Sequence, residues 1–157
     1  MTFNQHPLIM ESTLSSQDGY RNEVQGRQKN LNTVLWAMQG SLFLAFGAAG
    51  IMKLTMPIEK LSAIMTWPGA VPEVLVRAIG AAEVAGAMGV FLPALVRMQP
   101  WITSYAAMGL ATVMICAVGY HLMLFQGGML IPSIVLGVIA GYVAWGRETA
   151  LPIKPRA

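Results

Sequence analysis

The stretch VLVRAIGAAEVAGAMGVFLPALV, residues 74–96, is long and apolar enough to cross a bilayer, for which about 20 predominantly apolar residues suffice. It nevertheless holds two ionisable side chains, Arg77 and Glu83. A charge near the bilayer centre costs roughly 2.5–3.5 kcal/mol on insertion scales. Each is therefore expected to face a bundle interior or a wet cavity and to have a partner. The stretch reads as the buried centre of a small membrane bundle, with Glu83 its most informative residue.

The composition agrees. Of 157 residues, 55% are hydrophobic and 11% charged, against about 25% charged in soluble domains. There is no acidic or basic run and no interleaving of basic and aromatic side chains, which argues against a nucleic-acid partner. One cysteine, Cys116, stands within an apolar segment. By itself it makes neither an intramolecular disulfide, a CxxC redox pair nor a thiolate cage, and it reads as a small buried core residue. The 12 methionines form no cluster with histidine and read as pliable packing.

Working outward from the central stretch, three more segments are long enough to span. Residues 31–53 begin as LNTVLWAMQGSLFLAFGAAGIM and end on Lys53, read as snorkelling at the interface. Residues 101–121 carry no formal charge before His121 at their far end, and residues 131–147 carry Gly137-x-x-x-Gly141, a close-packing spacing, and end on Trp145 and Arg147 at the exit into water. Pro132 sits near the start of that last helix, where proline is tolerated. Between the first two spans, PIEKLSAIM reads either as a short interfacial helix with Ile58, Leu61, Ile64 and Met65 on one face or as a surface loop; Trp67 suits the headgroup level. Residues 1–30 are polar and are expected to form a mobile tail with at most a short helical turn, in which His6 is solvated. Residues 148–157 form a second, loose tail. The expected fold is an all-α membrane protein, a bundle of four transmembrane helices at about 31–53, 74–96, 101–121 and 131–147.

Positive residues orient it. Arg21, Arg27, Lys29, Arg97, Arg147, Lys154 and Arg156 fall on one side and only Lys53 and Lys60 on the other, which predicts a multi-pass cell-membrane protein with both termini cytoplasmic. With that orientation Arg77 lies about 5 Å and Glu83 about 14 Å below the outer end of the second span. These two are six positions apart, about 120° around the axis, so Glu83 is expected to find its partner on another helix, in water, or in an Arg77 bent downward. Gln39 is placed at matching depth, with Lys53 and His121 nearer the rim; a neutral Glu83 carboxyl bonded to Gln39 is a further option. The candidate catalytic residues are Glu83, Arg77 and His121, and the candidate substrate-binding residues are Gln39 and Lys53. The structural alternatives are an interhelical hydrogen bond for Glu83 and a solvated rim position for His121. A small-residue stripe, Ala78, Ala82 and Gly86, is read as the packed face, with Glu83 at its border. The echo of GAAGIM (47–52) in GAMGVF (86–91) suggests a duplicated helix pair.

Two stretches, FGAAGIMKLTMPIEKL and VRAIGAAEVAGAMGVFLPAL, together with the third span ending at His121 and the closing VAWGR, make this chain similar to the DoxX-like family of small four-helix membrane proteins. The matching positions are Gly50, Lys53, Arg77, Gly80, Glu83 and Gly86, within residues 31–147. Ser133 stands where relatives are expected to have Asn. The resemblance implies a link, seen in some relatives, to quinone-linked oxidation of sulfur compounds or to membrane redox complexes.

Three function classes are compatible with these residues. A membrane oxidoreductase, or its membrane subunit, would hold a quinone or other small apolar substrate in an apolar slot with a proton donor or acceptor near the ligand's oxygens. The chain has no haem-ligand pair, flavin fingerprint, iron–sulfur spacing or zinc motif, so the cofactor is unknown with quinone as the candidate, and electrons would come from a redox partner subunit or from the quinone itself. The second class is a small proton-coupled transporter using Glu83, working as a homo-oligomer. In the third, an accessory subunit, the polar residues only hold helices together. The expected partners are the lipid bilayer and a small apolar ligand.

Overall fold

An unbroken apolar run without proline or charge has few alternatives to helix in lipid, because every backbone N–H and C=O must be bonded within the segment. The computed structural model describes residues 6–99, 101–125 and 127–153, with side chains from residue 14 onward, and its regular elements are all helical. His6, Lys154 and Arg156 lie outside the described side chains. Helix α1 is His6–Thr55, α2 is Ile58–Ile64, α3 is Glu73–Val96, α4 is Trp101–Met123 and α5 is Gly127–Trp145. A 3-10 turn, Pro68–Ala70, precedes α3, and a π turn, Gly146–Ala150, follows α5. Among the described residues four helices are long and apolar enough to cross a membrane, and no strand occurs.

The chain divides into two units, residues 1–34 and 35–157. In the first, the stretch expected to be an irregular tail is helical from His6. After Pro7, whose ring is tolerated in a first helical turn, it contains no proline. Its side chains from Leu14 to Asn30 are exposed apart from a half-buried Val24. This is a helix that is polar nearly all round, with an exposed Arg21–Asp18 ion pair at 3.5 Å.

In the second unit, burial follows one stripe per helix. On α1 it is Leu35, Gln39, Leu42, Phe46, Gly50 and Lys53; on α3 it is Val76, Gly80, Glu83, Ala87, Val90 and Ala94. Both step by three or four residues, as one face of a helix must. Lys53 and Glu83 are thus members of the core stripes. The expected stripe holds only at Gly86: Ala78 and Ala82 are exposed, and the small residue packed against α1 is Gly80. A Cβ at Gly80 would lie 2.9 Å from the Gly50 carbonyl oxygen, so only glycine allows the two backbones this approach. Gly86 and Gly89 serve the α3–α4 contact, against Leu110 and Ala106. On α5, Gly137 faces Met114, whereas Gly141 is exposed with open space around it; the Gly-x-x-x-Gly spacing is therefore not a single packed face.

Two connections are tight. Arg97 ends α3 in the left-handed region at φ 57°, and Phe125 turns the chain into α5 at φ 53°. That helix starts at Gly127, earlier than the sequence suggests, and carries Pro132 inside it. The third connection, residues 56–72, contains α2, whose Leu61 is fully buried. The upper end of the bundle is the one where α1 and α4 finish and α3 and α5 begin; the lower end is the opposite one.

Candidate functional site

Ten residues along α3 from Glu73, about 15 Å at 1.5 Å per residue, Glu83 turns into the bundle and is 3% exposed. Its partner is Lys53 of α1: Nζ donates to Glu83 Oε2 at 2.6 Å. Lys53, expected to snorkel, is itself only 5% exposed. The physical reason is the helix stripe: three residues beyond Gly50, its Cβ leaves α1 on the face that packs against Gly80. The long stem then brings the ammonium to the carboxylate. A buried pair of this kind is costly to break, because removing one partner leaves the other charge unpaired in a low-dielectric interior.

The pair stands in the wall of a cavity of about 440 Å³, within the range typical of small-molecule sites. Ala45, Phe46 and Ala49 of α1, Leu75 and Ile79 of α3, Met114 and Ala117 of α4, and Met129, Pro132 and Leu136 of α5 make the wall mostly apolar. Met65, Trp67 and Val71 of the connecting segment complete it. Trp67 therefore lines the cavity, edge-on to Tyr120 with ring centroids 6.5 Å apart. His121, buried and edge-on to Tyr120, lies on the same wall with Ser133, whose hydroxyl donates to the Met129 carbonyl at 2.9 Å. Cys116 lines the cavity too and is exposed, not buried in the core.

Of the five residues singled out from the sequence, three meet at this cavity: Glu83, Lys53 and His121. Arg77 does not bend toward Glu83. Its Nη1 donates to the carbonyls of Lys53 and Met56, and its Nε and Nη2 both donate to Glu73 Oε1. Gln39 also lies elsewhere. Its Nε2 donates to the Val90 carbonyl at 2.8 Å, two turns of α3 and about 10 Å below Glu83. Its Oε1 accepts from Arg147 Nε at 2.8 Å. Arg147, expected at the exit into water, is 5% exposed, with its guanidinium 5.4 Å from the centre of the Trp36 ring. The π turn carries it inward, and Gly146 beside it leaves room for Leu35, which a Cβ would meet at 2.6 Å.

The residues that sequence reading passed over are Trp67, Tyr120 and the pairing of Lys53. The signal for Lys53 was present: it continues the three-and-four spacing of Leu35, Gln39, Leu42, Phe46 and Gly50. Chemically, the arrangement offers a neutral pair, one donor and one acceptor, at the edge of an apolar slot. It can hold a ligand oxygen and move one proton to or from it. Among the described residues no group of three or more His, Cys, Asp or Glu could hold a metal ion.

A family model described as the DoxX-like family matches residues 37–143, a span that includes the Lys53–Glu83 pair and every residue named as lining the cavity. No curated protein and no solved structure matches the chain.

Proposed function

This chain belongs to the DoxX-like family, and from that premise we propose that it is a membrane oxidoreductase, or the membrane subunit of one, acting on a quinone or a comparably small apolar carbonyl compound in the cavity beside Glu83. The observation that carries this reading is the buried Lys53–Glu83 pair set in the wall of an apolar cavity. Helices need no cavity to be held together, so a pair beside empty space supports binding over bracing. The pair's lack of net charge favours a neutral ligand, since an ion would enter an apolar slot uncompensated. Lys53 donates a hydrogen bond to the ligand oxygen; reduction of a quinone to its quinol takes up two electrons and two protons, the protons passing one at a time from water through the pair, and reoxidation returns both. His121, on the same wall near the upper end, links the pair to water. Electrons come from a redox partner subunit.

The same reading places the protein in the cell membrane with both termini cytoplasmic. Arg21, Arg27, Lys29 and Arg97 support it, against Lys53 and Lys60 toward the upper end; a reporter fused to the carboxyl end and found outside would reverse it.

Trp67 gives the binding test its signal. A short-chain benzoquinone titrated into protein in nanodiscs is expected to quench tryptophan emission saturably. Trp67→Phe should remove most of the quenching, and Glu83→Gln should weaken the affinity by about tenfold or more, the equivalent of about 1.4 kcal/mol. Quenching that never saturates, or that is the same in Glu83→Gln, overturns the reading. Proton-coupled efflux from vesicles would then indicate a transporter. Neither activity, at wild-type abundance, would indicate an accessory subunit.

A further inference from the structure

The upper end of α1 has a gap in its hydrogen bonding. In an α-helix the carbonyl of residue 53 accepts from the N–H of residue 57, but residue 57 is proline and has no N–H to give. The Lys53 carbonyl, one of the orphan acceptors of a helix end, is taken instead by Arg77 Nη1. The same nitrogen donates to the Met56 carbonyl at 2.9 Å. On its other edge the guanidinium is held by Glu73, with Nη2 at 2.7 Å and Nε at 3.1 Å from Oε1. One turn along α3 from Arg77, Gly80 closes the seam: a Cβ there would lie 2.8 Å from Lys53 Cβ. Lys53 is thus fixed at its carbonyl by Arg77, at its Cβ by Gly80 and at its ammonium by Glu83.

We infer that Arg77 is a positioning residue: by supplying at the Lys53 carbonyl the donor that Pro57 lacks, it fixes the backbone from which the Lys53 side chain reaches Glu83. It does not act as a positive charge beside Glu83. Its planar fork is committed to two carbonyls and one carboxylate, in a geometry that a lysine, with one compact ammonium on a flexible stem, does not reproduce. The functional consequence rests on the reading of the pair as the ligand-facing group, whereas the positioning itself is measured without any ligand.

The substitutions Arg77→Gln and Arg77→Lys separate shape from charge. The readout is the infrared carboxyl band of Glu83, identified by difference against Glu83→Gln at neutral pH in nanodiscs. The other titratable side chains lining this cavity are Lys53 from α1 and Cys116, Tyr120 and His121 from α4, so the band is recorded at a single fixed pH. Both Arg77 variants are expected to move the band away from that of the lysine-paired carboxylate, and both to weaken benzoquinone binding by about tenfold. A wild-type band in Arg77→Lys would show that charge is what counts, and a wild-type band in Arg77→Gln would show that Arg77 positions nothing; either overturns the inference. If neither variant accumulates, Glu73→Ala removes the exposed carboxylate and with it the acceptor that holds one edge of the guanidinium. A shift in the same direction supports the inference and an unchanged band overturns it. A band that responds in protein whose wild type binds no quinone would leave the positioning standing and remove only the proposed ligand.

Discussion

Among the described residues the bundle buries two charged clusters, one toward each end, and they are built differently. Toward the upper end Lys53 meets a carboxylate, and the pair borders a cavity. Toward the lower end Arg147 meets the amide oxygen of Gln39 and the face of Trp36, with Leu35 packed against Gly146. Both clusters hold a buried cation: the upper one meets a full opposite charge, and the described contacts of the lower one include a neutral dipole and a ring quadrupole. The first adjoins the cavity described above. Burial of a charge alone does not carry the proposed function; it rests on the cavity that the upper pair borders. The lower cluster ties the end of α5 to α1 and α3, because Gln39 bonds Arg147 on one side and the Val90 carbonyl on the other.

The largest expected effect breaks the upper pair on one side only. Lys53→Met leaves Glu83 without its cation and should cost about 3–5 kcal/mol of stability, read as a lowered melting temperature in detergent. Removing both charges, Lys53→Met with Glu83→Met, should recover most of that loss while benzoquinone binding stays absent. A double variant as unstable as the single one would mean that the pair braces the bundle more than it serves a ligand.

At the lower end, Arg147→Met should cost less, about 1–3 kcal/mol, since it leaves the buried Gln39 oxygen without its donor. Benzoquinone affinity should be unchanged. An affinity loss matching that of Glu83→Gln would erase the contrast between the two ends and couple them.

The glycine contacts test the packing between these ends. Gly137→Leu should destabilise by roughly 1–3 kcal/mol through overpacking against Met114, whereas Gly141→Leu, in open space, should melt as the parent does. Equal effects would mean that α5 is rotated from the orientation described.

The smallest expected effect concerns Cys116, exposed on the cavity wall. Its alkylation by a small membrane-permeant maleimide should slow several-fold when benzoquinone is present, with no change in melting temperature. An unaltered rate would place the ligand away from the α4 side of the cavity.

Four helices long and apolar enough to span and the burial of Glu83 were legible in the sequence alone, because each follows from local quantities: the length of an apolar run and the cost of a charge within it. Partners were not legible in the same way. Gln39 was set beside Glu83 because depth was estimated one helix at a time, whereas the packing of α1 on α3 puts it opposite Val90. Lys53 and Arg147 were both read as reaching for water, because a terminal cation usually does. Which way such a side chain turns depends on the rotation of its helix and on what the neighbouring helix leaves open. Gly80 against Lys53 and Gly146 against Leu35 set those rotations, and contacts between residues so far apart in the chain exist only once the helices have packed. The sequence by itself therefore determined that the bundle exists and that one carboxylate is buried in it. The tertiary structure alone decided that Lys53 answers that carboxylate, that Arg77 holds Lys53, and that a cavity lies beside the pair.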